Sequence, residues 1–153
     1  MSGADSHVVH GAGFEWPAVA LREYKNDGSP HRDITRRTLL GEAPGEQALD
    51  ALVRYFEIKA GGYSTLERHQ HPHAVVILRG RGQVILGERV ESVAAFDCVY
   101  VAPQCFHQFL ATAGEELGFL CVVSRERDRP VLPTPAELAR LRAVPAVAQL
   151  LQV

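Results

Sequence analysis

Short β-type segments separated by glycine, proline or aspartate dominate the middle of the chain, and this pattern constrains the fold most strongly. Within residues 52–58 the side chains alternate between two faces, so that Leu52, Arg54 and Phe56 share one face of a strand. Further candidate strands span 33–40, 74–78, 83–86, 99–101, 108–111 and 117–123. Roughly eight short strands at this close spacing predict an antiparallel barrel or sandwich.

The two ends of the chain break this pattern. Residues 1–32 contain several turn-forming residues and predict an irregular arm that packs over the barrel or reaches a neighbouring subunit. Near the other end, residues 134–137 have the sequence TPAE, a capping box with proline at the first helical position. We therefore expect a single domain spanning 1–153, in which a barrel at 33–125 is followed by helices at 133–153 that pack on its outside or form a dimer contact.

Composition excludes several classes of partner. The formal net charge of −2 offers no broad electrostatic attraction for a nucleic acid. No apolar run reaches the roughly 18 residues of a membrane span, and the N-terminal sequence does not resemble a signal peptide. The three cysteines are an odd number without a CxxC pair, which favours reduced thiols and a cytoplasmic location. Arginines and acids alternate over 125–129, a pattern that we interpret as a solvated turn, with contact to a phosphate or an acidic partner as the alternative.

Three histidines at alternate positions form the most informative motif. His69, His71 and His73 point to the same side if the segment is a strand. Each step of two residues advances a strand by about 6.6 Å, so a third imidazole reaches the same ion only if the strand bends. Pro72 cannot donate a ladder hydrogen bond and is typical of such a bulge. Imidazole is the commonest protein ligand for transition metals, so the motif favours a metal site over a polar surface strand.

A fourth histidine, His107, lies between two hydrophobic segments, where a side chain that lines a barrel is expected. A buried histidine satisfied by the core is the alternative reading of this position. With the HxHxH segment, His107 completes a pattern that resembles the cupin superfamily over about residues 50–125. Gly62, His69, His71 and Gly80 match the first motif of that family, and His107 matches the histidine of the second.

The resemblance implies an all-β, cupin-type double-stranded β-helix, or jelly-roll barrel, with a C-terminal helical tail. It also implies that His69, His71 and His107 are metal ligands. Counting back from Gly80, His73 occupies the position of the family's glutamate ligand, which gives an all-histidine site. Cupin relatives are often dimers, so the resemblance also predicts a homodimer.

An all-neutral ligand set leaves the full charge on a divalent ion, which favours a small anionic substrate. Iron(II) is the natural candidate for oxygen chemistry, and copper, nickel, manganese and zinc stay open. We therefore expect a metal-dependent enzyme, most simply a non-haem iron or copper dioxygenase or related oxidoreductase. A non-redox isomerase, epimerase or lyase is one alternative, and a barrel that binds a metal or ligand without turnover is another.

Six side chains are candidates for the lining of a substrate pocket. If the segment before His107 is extended, the thiol of Cys105 points towards the metal, although a small apolar filler is the alternative. A buried Arg54 would indicate a carboxylate-bearing substrate, because a guanidinium pairs with a carboxylate through two hydrogen bonds. The six candidates are Cys105, Tyr63, Gln83, Tyr100, Phe109 and Arg54.

Overall fold

The computed structural model describes residues 5–153, so the first four residues of the predicted arm lie outside the described part of the chain. Within that part the chain forms nine strands followed by two short helices. The strands are β1 (Arg22–Glu23), β2 (Arg32–Leu40), β3 (Ala51–Tyr63), β4 (His73–Arg79), β5 (Arg81–Leu86), β6 (Arg89–Ala94), β7 (Cys98–Val101), β8 (His107–Leu110) and β9 (Leu117–Ser124), and the helices are α1 (Pro135–Arg142) and α2 (Pro145–Leu150).

All strand pairs are antiparallel, and the sheet runs in the order β6-β5-β8-β3-β9-β4-β7, with β2 beside β3 and β1 beside β2. The sheet curls into a barrel, which confirms the predicted all-β class with a helical tail. Alternate residues of each strand fill the interior, as the period of two requires. Across the inner face, Arg54 of β3 pairs with Cys121 of β9, which in turn pairs with Val75 of β4.

The strand β3 is longer than the sequence indicated. The alternation over residues 52–58 covers only part of it, because the strand continues through Gly61 and Gly62 to Tyr63. Gly61 adopts a positive φ of 80°, which a residue without a Cβ tolerates, and the strand bends there. Before the bend β3 pairs with β9, and after it Tyr63 pairs with Leu110 of β8. The bend therefore lets one strand serve both sides of the barrel.

The arm at the N-terminus folds back onto its own barrel. Trp16 packs on Tyr55, which projects from the outer face of β3, with the ring centroids 4.9 Å apart. Apart from the short strand β1, most of the described arm is irregular, as predicted.

The two helices cover the outer side of β5 and β8 and form a second small core there. Ile85 and Leu110 are buried in this core together with Leu141 of α1 and Val147 of α2. The capping box is present: the Thr134 hydroxyl accepts from the Glu137 amide, and the Glu137 carboxylate accepts from the Thr134 amide. In residues 5–153, no helix has both the length and the apolar character needed to cross a lipid bilayer.

Replacing Thr134 by alanine removes the hydroxyl that caps α1. We expect Thr134→Ala to lower the free energy of unfolding by about 1 kcal/mol, because an amide of the first helical turn loses its partner. Urea unfolding followed by circular dichroism measures the change. Thr134→Ser keeps the hydroxyl and serves as the control, so equal midpoints for the alanine and serine variants would contradict the capping role.

Candidate metal centre

Backbone pairing brings the two histidine-bearing segments together. The amide of Glu67 donates to the carbonyl of His107 (3.2 Å) and the His107 amide donates back to the Glu67 carbonyl (3.0 Å). Two residues further on, the His69 carbonyl accepts from the Gln104 amide (2.7 Å). These bonds tie the loop before β4 to the start of β8, although about forty residues of sequence separate them.

The segment of alternating histidines is not the bent strand that its spacing predicted. Residues 69–72 form a bend without strand pairing, and β4 begins only at His73. This is a correction to the expected conformation, with a physical reason in Pro72, which has no amide hydrogen to continue a ladder. The bend nevertheless brings the three imidazole rings together, as the sequence predicted.

Four imidazole rings pack together in what we term the histidine cluster: His69, His71, His73 and His107. The ring centroid of His69 lies 3.8 Å from that of His71, 4.3 Å from that of His73 and 4.9 Å from that of His107. The ligand nitrogens of His69, His73 and His107 lie within 4.8 Å of one another, so these three are positioned to hold one metal ion. The Nε2 atom of His71 lies 3.3 Å from that of His73, at the edge of this group.

Hydrogen bonds on the far side of the rings fix which nitrogen faces the centre. The Nδ1 atom of His69 donates to the carbonyl of His71 (2.6 Å), and Nδ1 of His107 donates to the carbonyl of Cys105 (2.9 Å). Because Nδ1 carries the proton, each Nε2 keeps a free lone pair for a metal. The Nε2 of His69 is buried and has no hydrogen-bond partner among the described residues, as expected of a nitrogen that binds an ion.

Asp128 holds the third ring in the same way. One carboxylate oxygen accepts from Nδ1 of His71 (2.7 Å) and from its amide (3.0 Å), and the other accepts from the Gln70 amide (2.8 Å). Although burial opposes the charged form, these hydrogen bonds hold the pKa of Asp128 well below its usual range. A carboxylate behind an imidazole orients a ligating histidine and increases its basicity.

The electrostatic environment keeps the rings neutral. Burial, with a smaller contribution from His71, lowers the pKa of His69 to about 4, and burial lowers that of His107 to about 4 as well. Burial and the neighbouring histidines lower the pKa of His73 further still. Since a metal ligand must be deprotonated, this neutral nitrogen donor set fits a divalent transition metal at neutral pH.

The histidine cluster forms one wall of an open-mouthed cavity of about 210 Å³. Phe56, Phe109 and Phe119 give it an apolar wall, with their rings stacked in a row. Four cationic side chains also line it, namely Lys25, Arg36, Arg54 and Arg127, against two acidic ones, namely Glu67 and Asp128. Apart from the imidazoles, the lining therefore carries an excess of positive charge.

Glu67 and Lys25 form an ion pair beside the histidine cluster. The Lys25 ammonium donates to the Glu67 carboxylate, and both side chains are largely buried. Burial raises the pKa of Glu67, while the charge of Lys25 opposes that rise. The cavity therefore contains a buried carboxyl group that is not one of the expected metal ligands.

Two of the six predicted pocket residues line this cavity, Arg54 and Phe109. Tyr63 instead packs in the second core beneath the helices, and Gln83 accepts a hydrogen bond from the exposed Thr112. Tyr100 is 68% exposed on the outer face of β7. The remaining candidate, Cys105, is half-buried, and its thiol points towards the carbonyl of Phe106 (3.5 Å).

Several residues of the site escaped the sequence analysis. The solvated-turn interpretation of 125–129 is wrong for Asp128, whose carboxylate binds the loop of His71, and Arg127, although exposed, also lines the cavity. Arg36 could have been found from its place in the alternating pattern of the candidate strand 33–40. Lys25 lies in the irregular arm, where no periodicity indicates which way a side chain points.

Fold and site together define a small cupin whose histidines are positioned to hold a metal. The model of the family described as "Cupin domain" matches residues 54–123, and the chain belongs to the cupin family. A curated relative from Rhodospirillum rubrum is 50% identical over 139 residues, which cover 90% of this chain and 86% of the relative. That protein is named 1-methylthio-D-xylulose 5-phosphate methylsulfurylase.

Solved structures of cupin proteins superpose over almost the whole chain. A cupin-2 domain protein from Rhodospirillum rubrum matches with a TM-score of 0.80 and 47% identity, covering 93% of each chain. A cupin 2 conserved barrel domain protein from Rhodopseudomonas palustris matches with a TM-score of 0.86 and 44% identity, covering 97% of this chain and 100% of the other. The superpositions confirm the predicted cupin fold.

Removing one imidazole of the histidine cluster should abolish metal retention. We expect His69→Ala and His107→Ala, purified without added metal, to lose nearly all of the divalent metal that the wild type carries, because each loses a nitrogen ligand. Elemental analysis by mass spectrometry measures the metal per chain. His10→Ala, which removes an exposed histidine outside the cluster, is the control. Full metal content in both cluster variants would exclude these residues as ligands.

Asp128 gives a test of whether His71 is the fourth ligand. If His71 binds the ion, Asp128→Ala should weaken metal affinity by about 10- to 100-fold, since the ring loses its orienting partner. Competition with a chromogenic chelator measures the affinity. Glu126→Ala, two residues away on the same segment and exposed, provides the matched control. A metal affinity equal to that of the control would show that metal binding does not depend on His71.

Proposed function

We propose that this protein is a metal-dependent cupin enzyme that cleaves the carbon–sulfur bond of a methylthio ketose phosphate. The observation that carries the proposal is one cavity that combines a metal-ready histidine cluster with an excess of positive charge. The 50% identity to a relative named as a methylsulfurylase of 1-methylthio-D-xylulose 5-phosphate supports this substrate class. The proposed reaction is neither a dioxygenation nor one of the non-redox reactions considered from the sequence, because a thiol is oxidised to a disulfide while carbon 1 of the sugar is reduced.

The cavity supplies the features that such a substrate requires. Its cationic side chains attract a phosphorylated sugar, and its phenylalanine wall accepts an apolar methylthio group. When bound to the histidine cluster, a divalent metal would act as a Lewis acid on the ketone next to the carbon–sulfur bond. The neutral ligand set leaves the charge of the ion uncompensated for this purpose.

The overall reaction that we propose is a group transfer to a small-molecule thiol. The thiol sulfur forms a sulfur–sulfur bond with the methylthio group, and the electron pair of the broken carbon–sulfur bond stays with carbon 1. Carbon 1 then takes the proton that the thiol released, so the products are a mixed methyl disulfide and a methyl ketone. No external oxidant or reductant besides the thiol is needed.

A dioxygenase is the competing proposal from the sequence, and the same histidine cluster is compatible with it. The two proposals differ in their reactants: a dioxygenase consumes molecular oxygen, whereas the transfer consumes a thiol and proceeds without oxygen. The name of the 50% identical relative favours the transfer.

The direct test is to incubate the purified protein with 1-methylthio-D-xylulose 5-phosphate and glutathione, as a representative thiol, under nitrogen. We expect the methyl ketone and the mixed disulfide to form in equal amounts, measured by proton NMR and mass spectrometry. His107→Ala should lower the rate by at least about 100-fold, because a metal ligand is lost. The His10→Ala control should retain the wild-type rate.

Oxygen dependence decides between the two proposals. Turnover that needs oxygen, recorded with an oxygen electrode, and yields oxygenated products would overturn the transfer and favour the dioxygenase. Equal rates in the His107→Ala variant and the wild type would remove the histidine cluster from the reaction altogether.

A further inference from the structure

Three cavity-lining arginines lie close enough for their charges to act on one another, and we call them the arginine cluster: Arg36, Arg54 and Arg127. All three line the cavity that contains the histidine cluster. Arg36 lies on β2 and Arg54 on β3, where the register pairs Arg36 with Phe56, two residues from Arg54. They are therefore diagonal neighbours on the inner face, and Arg127 reaches them from the segment after β9.

Arg54 occupies a position that is unusual for a charged side chain. It is only 8% exposed, and its guanidinium lies 5.0 Å from the ring centroid of Phe56. Its one hydrogen bond to a described residue goes to the thiol sulfur of Cys121 (3.3 Å), which is a weak acceptor. Its Nε is buried without any partner. A buried guanidinium without an anion is costly, so this arrangement is expected only where a ligand supplies the missing acceptor.

The other two arginines form no ion pair with a described residue either, and the charge of Glu42 acts on both only from a greater distance. Within the described part of the chain, the buried Nε of Arg36 has no partner, and Arg127 donates only to the backbone carbonyl of Arg125 (3.4 Å). Among residues 5–153, no carboxylate lies within ion-pair distance of any member of the arginine cluster. Other arginines of the same barrel do pair: Arg79 binds Glu57 at 3.0 Å, and Arg37 binds Glu15.

The positive charges of the three guanidinium groups repel one another. Burial lowers the pKa of Arg36, and the charge of Arg54 lowers it further. Burial likewise lowers the pKa of Arg127, with Arg54 and Arg36 adding to the effect. A bound anion would relieve this repulsion, and each guanidinium can offer it a planar pair of donors.

We propose that the arginine cluster is a subsite for the phosphate group of a phosphate monoester, and that it holds the substrate with its other end at the histidine cluster. This inference rests on the proposed function, because a methylthio ketose phosphate carries such a group. A phosphate dianion carries more negative charge than a carboxylate and therefore balances three arginines better. This proposal replaces the carboxylate-bearing substrate that the sequence suggested for Arg54.

The sheet places the two subsites at a useful separation. Arg54 pairs with Cys121, and Cys121 pairs with Val75, which lies two residues beyond His73 on β4. The phosphate site is thus two strands and one two-residue step away from the nearest histidine of the cluster. This offset allows a short sugar chain to bridge the cavity, with its phosphate and its ketone held by different residues.

Calorimetric titration of the full-length protein with inorganic phosphate tests the subsite apart from any turnover. We expect Arg54→Met and Arg36→Met to weaken phosphate binding by at least about tenfold, since each removes charged hydrogen bonds. Arg127→Met alters an exposed side chain that does not endanger folding, and it too should weaken binding. Arg129→Met is the matched control, because Arg129 is exposed, lies two residues away and does not line the cavity.

Further titrations answer two questions. The first is whether the anion binds to the arginine cluster or to the metal, and the second is whether the cluster prefers phosphate to other anions. His107→Ala should bind phosphate as the wild type does, whereas loss of phosphate binding in this variant would place the anion on the metal and overturn the subsite. Comparison of D-xylulose 5-phosphate with D-xylulose should show that only the phosphorylated sugar responds to Arg54→Met and Arg127→Met. A carboxylate such as acetate that binds as tightly as phosphate would overturn the choice of ligand.

The subsite and the proposed function can fail separately. Carbon–sulfur cleavage by the wild type, with phosphate affinity equal in Arg127→Met and Arg129→Met, would overturn the subsite alone. Phosphate binding that requires the arginine cluster, in a protein without carbon–sulfur cleavage, would overturn the proposed reaction and support the subsite.

Discussion

The backbone bridge between Glu67 and His107 is the constraint on which the site depends. Two hydrogen bonds join these residues, and they fix the distance between β8, which carries one histidine, and the segment that carries the other three, two in the loop and one at the start of β4. Antiparallel strand pairing has a definite register, so the imidazoles meet at a separation set by the fold and not by the metal. The histidine cluster is therefore pre-organised before any ion binds.

The partners behind the rings complete this pre-organisation. Backbone carbonyls hold Nδ1 of His69 and of His107, and Asp128 holds Nδ1 of His71, so each ring presents its other nitrogen to the centre. Burial lowers the pKa values of His69, His73 and His107 and so keeps these three imidazoles neutral. A metal ion that enters such a site does not have to displace protons or reorient ligands, which reduces the cost of binding. The same cavity also contains three arginines that form no ion pair with a described residue.

Local patterns in the sequence were sufficient for the barrel and for the histidines. Alternation over residues 52–58 located β3 and grouped Arg54 with Leu52 and Phe56 on one face, although it did not show that this face points inward. The HxHxH motif with His107 identified four rings that the structure brings together. The capping box at residues 134–137 located the first helix. Each of these features depends on neighbours within a few residues, which is why sequence periodicity detects them.

Features that depend on distant contacts were not predictable in this way. Asp128 bonds to a residue 57 positions away, and nothing in its own segment distinguishes it from a solvated acid. Tyr63 and Tyr100 were expected near a pocket because they are aromatic and lie on strands, but the bend at Gly61 and the exposed outer face of β7 turn them elsewhere. The arginine cluster likewise arises from three separate segments, and only their packing shows that its charges lack partners.

The central claim is that the imidazoles of the loop and of β8 bind one metal ion together. The most direct measurement is a crystal structure of the metal-loaded protein with diffraction data recorded at the absorption edge of the metal. The account predicts one anomalous peak at about 2.1 Å from the Nε2 atoms of His69, His73 and His107. A peak that contacts only one of these residues, or that lies on a carboxylate such as Glu67 away from the cluster, would contradict it.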